Sequence, residues 1–486
     1  PIGLIRSLSL NAGCNESFSA MKKLLTLPTL LLAALSLQAQ HFPIPHVPGT
    51  LYEQGARWNS KVWQTPYREN LTDNEKEAGL ALVWSEVKYN FAFFDHVPNL
   101  DWDSLYLAYQ PSVLGTQSTM AYYDVLRSMV AHLQDGHTAV LPPMEEWQKL
   151  ARPAFTTALI ENRVLVIKLL NHDLSQEGIT PGLEITAVNG EDVHTYANRA
   201  IRPYVFSSTE QNRLVQIYDY QFLTFRRGET VELTFRDAKG RTFSRTVPLT
   251  QPLSMMPHNS RTFEYCLLPG NIAYVALNYF DHESIAAKFD SIYPQLKTAK
   301  ALILDVRQNG GGNSQYGWDI VAKLTNKDFP MGQWQTRGYR PAFRAWGNKQ
   351  EWFTDKNIYS ITRKDTTDYY HGPVAVLTSG KTNSAAEDFL SAFRQAKRGI
   401  LVGEPSSGST GQPLFVQLPG GGLLAVCSKR DALYDGTDWV GKGFEPDVPV
   451  QPTVAAFRQG KDRVLEEAVD VLTRQLQAPK LQAGNH

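Results

Sequence analysis

Short apolar runs at 272–277, 301–306, 374–378 and 400–402 alternate with stretches of helical spacing at about 283–297, 314–325 and 384–396. Such runs, bounded by turn residues, read as buried strands. Their alternation with helices constrains this half of the chain to α/β architecture.

The preceding stretch has another texture. Between 155 and 250, β-like runs at 164–169, 184–188, 230–235 and 243–249 are punctuated by Asn189-Gly190 and Lys239-Gly240, with one helix-like stretch at about 208–226. A compact β-rich module is expected there. Earlier still, Thr72-x-x-Glu75 has capping-box spacing ahead of Leu80, Val83, Trp84, Val87, Phe91 and Phe94 at helical intervals. Tyr122, Leu126, Met129, Val130 and Leu133 signal a second helix, ending before Asp135-Gly136, where Gly136 is expected to supply the left-handed stop. Residues 457–474 read as a further amphipathic helix.

Composition narrows the function classes. With 42% hydrophobic and 20% charged residues the chain is not mainly disordered. Lys+Arg and Asp+Glu are both 48, so no basic excess points to nucleic acid or an anionic membrane. Three cysteines, Cys14, Cys266 and Cys427, exclude a disulfide scaffold and a multi-cysteine metal framework. Met21-Lys22-Lys23, an apolar run to Leu37 and then Ala39 describe a secretory signal over 21–39, with residues 1–20 as an upstream extension. Cleavage near Ala39 and a periplasmic or secreted product are expected. No other stretch is apolar enough to span a bilayer.

Three segments could carry chemistry. Asp305-Val306-Arg307-Gln308-Asn309-Gly310-Gly311-Gly312 runs from a strand into a helix, where glycine lets backbone N–H groups approach a ligand or an oxyanion. It is equally a flexible turn, with Asp305 and Arg307 as an ion pair fixing it. Ser384 follows the strand at 374–378 and would expose its hydroxyl at the sheet edge. Taken alone, Ser384-x-x-Glu387 reads more readily as a capping box. His137, in a loop just past a helix end, is a general-base candidate. Ser85-x-x-Lys88 lacks partner motifs and is a chance match. No GxxxxGK[ST], GxGxxG, HExxH or GxSxG occurs, and nothing requires a cofactor or a metal.

In order along the chain, these segments resemble the tail-specific (C-terminal-processing) serine peptidase family. The series includes Leu100-Asp101-Trp102-Asp103, Asp135-Gly136-His137-Thr138, the stretch 178–193, Asp305 to Gly312 and Ser384-Ala385-Ala386-Glu387. It closes with Val402-Gly403-Glu404-Pro405 and Gly443-Phe444-Glu445-Pro446-Asp447, and covers about 70–452. The resemblance implies a helical N-terminal domain (69–145), a PDZ-like module (155–250), a crotonase/Clp-protease-like β-β-α catalytic core (255–455) and a C-terminal helix and tail (456–486).

The processing branch uses a Ser–Lys dyad with the lysine 25 positions after the serine. Ser409 stands there, so that lysine is missing. The chain is more similar to the tricorn-like and retinoid-binding-protein-like branch, in whose tricorn-type enzymes a histidine from the helical segment serves as base. That implies Ser384 as nucleophile, His137 as base, and N–H groups of Gly310 or Gly311 and of Ala385 as the oxyanion hole. Val440 occupies the position expected for the acid, with Asp438 and Glu445 near it. Glu387 is expected to cap its helix, or else to orient another active-site group. The expected function is therefore hydrolysis of peptide bonds in a peptide or protein substrate through an acyl-enzyme. The alternatives are a non-catalytic binding protein for an apolar ligand or peptide, and a hydrolase of non-peptide acyl bonds. Self-association is left open.

Overall fold

The first helix starts where its capping chemistry places it. In α1 (Asp73–Asn90), Thr72 accepts from the Glu75 amide and the Glu75 carboxylate accepts from the Thr72 amide, while Leu80, Val83 and Val87 are buried. A second helix, α2 (Trp102–Leu114), begins at the Asp101 cap and holds Pro111 within it. Only Trp102 and Val113 of α2 are buried, which left it without a helical signature in the sequence. Helix α3 (Thr119–Ala131) follows and leads into β1 (Ala139–Leu141). The left-handed residue between them is Gln134 (φ 50°), not the expected Gly136. The computed structural model describes residues 63–253, 262–355, 360–361 and 367–478, all within one compact unit, Asn59–His486. The expected export segment and Cys14 lie outside the described residues.

The β-rich stretch forms an antiparallel sheet. Its order is β2 (Phe155–Ile160), β3 (Arg163–Leu169), β4 (Glu184–Val188), β5 (Thr230–Arg236) and β6 (Thr242–Pro248), with the short strand Glu191–Asp192 pairing β4. Val164, Val166, Ile185, Leu233 and Phe235 build its core. The helix expected over 208–226 is shorter. α4 (Glu210–Val215) passes into a π turn, Gln216–Tyr220. Leu223 then turns at φ 56° and Phe225–Arg226 pairs with residues 150–151 as a strand.

The C-terminal half is built on a six-stranded sheet. Its order is β7 (Phe263–Leu268), β8 (Ile272–Leu277), β9 (Ala301–Asp305), β10 (Val374–Thr378), β11 (Ile400–Gly403) and β14 (Val448–Pro449). β7 runs antiparallel to β8, and the remaining pairs are parallel. Alternation along β9 shows why its first four residues are all apolar. Leu302 and Leu304 join the core with α5 (Ser284–Leu296), α6 (Ser314–Ala322) and α7 (Ala385–Gln395). Ala301 and Ile303 face Val464, Ala468 and Leu472 of the C-terminal helix α8 (Arg463–Gln477). A sheet covered on both faces needs apolar residues on both.

A hairpin, β12 (Pro413–Gln417) and β13 (Leu423–Cys427), leaves this sheet and pairs through β13 with β1. It packs into the core of α1 and α3, together with Val440. This pairing brings the loop after α3 to the C-terminal half of the chain. Both described cysteines are free, Cys266 exposed and Cys427 buried. Among the described residues no helix is long and apolar enough to cross a membrane.

Candidate active site

β9 and β10 are adjacent parallel strands, so the loops leaving their C-terminal ends lie side by side. The first carries Gly310 to Gly312 and the second ends at Ser384. Asp305 and Arg307 take the structural role. Arg307 Nη2 lies 2.6 Å from Asp305 Oδ2 and 2.8 Å from Asp462 Oδ2, at the cap of α8, and Tyr274 donates to Asp305. The glycine loop is thereby tied down on the sheet's far side.

Ser384 precedes α7 with φ 56° and ψ −125°, and its side chain makes no capping bond. A non-glycine residue in that region is strained, and here the strain turns the hydroxyl away from the helix it would otherwise cap. The capping-box reading is overturned. Ser384 Oγ lies 3.0 Å from His137 Nε2, across 247 residues of sequence. Both side chains keep some exposure. Protein packed around the imidazole lowers its pKa from the ordinary 6.5, with Asp135 and then Asp388 pulling upward. The ring is therefore neutral at pH 7, as a proton acceptor must be.

The other imidazole nitrogen, Nδ1, faces the hydroxyl of Ser409 at 2.7 Å rather than a carboxylate. Val440 is buried in the N-terminal core. Asp438 is engaged by Arg430 at 2.8 Å and by the Val440 amide. Glu445 is met through its backbone carbonyl, by Arg394. Neither Asp438 nor Glu445 takes the place of the expected acid.

Glu387 does not cap α7 either. Its buried carboxyl accepts from the Ser406 hydroxyl, from the Gly408 amide (2.7 Å) and from the Ser409 amide (2.8 Å). The expectation of a cap is corrected to that of a loop anchor. Burial pushes this carboxyl up to about 8, against the downward pull of those donors.

The expected oxyanion donors divide. The Gly311 amide already donates to Asn309 Oδ1 at 2.9 Å, so Gly311 is not a free donor. Its role is steric, since a Cβ there would fall 2.6 Å from Ser384 Cβ. The amides of Gly310 and Ala385 have no partner among the described residues. Ala385 opens α7, where the helix dipole adds partial positive charge.

One contribution carried no sequence signal. The segment 207–220 of the β-rich stretch touches the loop of His137, the loop before Ser384 and the 406–409 loop. Ser208 Oγ accepts from the Gly136 amide and donates to Asp135, Thr209 donates to the Ser407 carbonyl, and Asn212 donates to the Gly380 carbonyl. Lys381 Nζ lies 2.6 Å from Asp219 Oδ2. Polar side chains at the ends of short helices look like ordinary caps in a sequence, and only the fold shows what they meet.

Residues 271–450 match the peptidase family S41, and residues 72–131 match the tricorn protease C1 domain. The chain is 29% identical over 223 residues to the chloroplastic C-terminal processing peptidase of Tetradesmus obliquus, covering 43% of this chain and 44% of that one. It is 25% identical over 389 residues to putative tricorn protease homolog 2 of Streptomyces coelicolor, covering 76% of this chain and 30% of that protein. The chain thus spans less than half the length of these two relatives. In fold it is similar to mature CPAF complexed with lactacystin (TM-score 0.67, 13% identity), over 83% of this chain and 99% of that one. The chain therefore carries a peptidase family S41 domain, preceded by a tricorn protease C1 domain.

Proposed function

We propose that the protein is an exported serine peptidase that hydrolyses peptide bonds of peptide or protein substrates through an acyl-enzyme. The observation that carries this is the 3.0 Å approach of Ser384 Oγ to His137 Nε2, made by a serine in strained backbone. Ser384 Oγ attacks the substrate carbonyl carbon while its proton passes to His137 Nε2. The amides of Gly310 and Ala385 hold the resulting oxyanion. Collapse of the tetrahedral intermediate breaks the C–N bond, and the Nε2 proton leaves with the amine. Water then attacks the acyl-enzyme, giving its proton to Nε2. A second collapse frees the acid and returns that proton to Ser384.

The β2–β6 sheet is read as a PDZ-like module that receives an extended peptide on a sheet edge. Its contacts with the site loops through residues 207–220 support coupling between the two. Export rests on the basic, apolar and small-residue order of residues 21–39.

The test is labelling with a fluorophosphonate probe, followed by peptide mapping, on wild type, Ser384→Ala and His137→Ala. Label confined to Ser384 and lost in both variants is expected, together with turnover of extended peptides. A folded wild type that takes no label would replace this reading with non-catalytic binding of an apolar ligand or peptide.

A further inference from the structure

The imidazole of His137 stands between two hydroxyls, Ser384 Oγ at 3.0 Å from Nε2 and Ser409 Oγ at 2.7 Å from Nδ1. A neutral imidazole has one donor nitrogen and one acceptor nitrogen. If Nε2 is to take the Ser384 proton, Nδ1 must carry the hydrogen, and a fixed acceptor must face it. The nearby carboxylates are committed elsewhere. Asp135 accepts from Thr138 and Ser208, Asp388 from Ser314 and Thr410, and Asp438 from Arg430.

We infer that Ser409 is the positioning residue of the base. Its Oγ accepts the Nδ1–H of His137, selects the tautomer whose Nε2 lone pair faces Ser384, and holds the ring through the imidazolium stage. The Nδ1 proton stays on the ring throughout, and Ser409 keeps its own. This assignment rests on the peptidase reading and replaces the expected carboxylate with a neutral acceptor.

Three observations fix that hydroxyl. The Ser409 side chain is fully buried. Its main chain is held at both ends, the carbonyl accepting from the Ser384 amide at 3.0 Å and the amide donating to Glu387 at 2.8 Å. The space for Oγ exists because residue 136 is glycine, where a Cβ would fall 2.6 Å from Ser409 Oγ and 3.1 Å from its Cβ. Gly136 is thus a seat for the acceptor rather than a helix stop.

Both main-chain bonds survive truncation of the side chain, so Ser409→Ala separates positioning from loop structure. On an extended peptide, kcat is expected to fall about 10²-fold with KM unchanged. Labelling of Ser384 by the fluorophosphonate should slow by a similar factor. The charged groups facing the ring are Asp135 from its own loop and Asp388 from α7. With these left in place, loss of the acceptor destabilises the imidazolium, and the acid limb of kcat/KM should move to lower pH. Ser409→Thr should restore most of the rate. Gly136→Ala, with Ser409 intact, should reproduce the loss.

A direct reading comes from ¹⁵N NMR of the His137 imidazole in the full chain. The Nδ1–H tautomer is expected to dominate in wild type and to give way to Nε2–H in Ser409→Ala. An unchanged tautomer, or labelling of Ser409→Ala at the wild-type rate, would overturn the assignment. A folded wild type that takes no label overturns the peptidase reading instead, and the tautomer comparison still decides whether Ser409 orders the ring.

Discussion

The amide of Ser384 donates to the carbonyl of Ser409 at 3.0 Å, so the hydroxyl on one side of His137 and the hydroxyl on the other belong to a single hydrogen-bonded backbone unit. A displacement of the 406–409 loop therefore moves Ser384 and Ser409 together. Several variants test how strictly that unit is held.

Gly311→Ala places a methyl 2.6 Å from Ser384 Cβ at a position with φ +108°. Backbone strain should cost about 1–2 kcal/mol, and displacement of Ser384 should lower kcat/KM by roughly 10²-fold. Thermal unfolding and peptide turnover measured together check this. A variant with full activity would show that Gly311 does not set the place of Ser384.

The pH profile follows from the sign of the His137 shift. Its pKa in the folded protein is lowered from 6.5 by the surrounding protein, so the base stays unprotonated to more acid pH. The acid limb of kcat/KM for wild type is expected below pH 6.5. A limb at or above 6.5 would contradict the desolvated setting of the ring.

Glu387 gives a stability signature. Its carboxyl is raised from 4.5 to about 8 in the folded state. The native protein thus keeps a proton that the unfolded chain releases. This stabilisation is complete below pH 4.5 and is lost as pH rises through about 8. Denaturant unfolding should show this decline in wild type. Glu387→Gln, which does not titrate, should flatten it. The same variant presents an NH₂ group to donors of the 406–409 loop and should lose both stability and turnover.

Lys381 and Asp219 join the loop before Ser384 to the β-rich stretch through a 2.6 Å ion pair. Lys381→Met leaves Asp219 buried without its cation and should cost about 3 kcal/mol. Lys381→Met combined with Asp219→Leu should recover most of that loss. Equal stability of the single and double variants, measured by chemical denaturation, would show that the pair is not coupled.

The architecture was legible where residue periodicity is strong. The strands at 272–277 and 374–378 match to the residue, because apolar runs ending in Gly, Asn or Ser leave little choice of boundary. Helix α2 was hidden because it buries only Trp102 and Val113. At the site, Ser384 and His137 were visible as candidates, but their approach depends on β13 pairing with β1, which no local pattern encodes. In the sequence Ser409 marks only the place of a missing lysine. Its role depends on the empty space at Gly136, which the sequence presents as an ordinary turn. The role of Glu387 is hidden for a related reason. A carboxylate in the first turn of a helix suits a cap equally well, and only the position of the 406–409 loop decides between the two.

The pairing of β1 with β13 also has a kinetic side. His137 meets Ser384 across 247 residues and Ser409 across 272 residues. Contacts that distant require closure of a long loop, and such contacts form late and slowly. A nascent chain carrying the serine but not yet joined to its distant histidine has an ordinary hydroxyl in an open loop. The Ser384–His137 approach therefore exists only once the two halves of the fold have met.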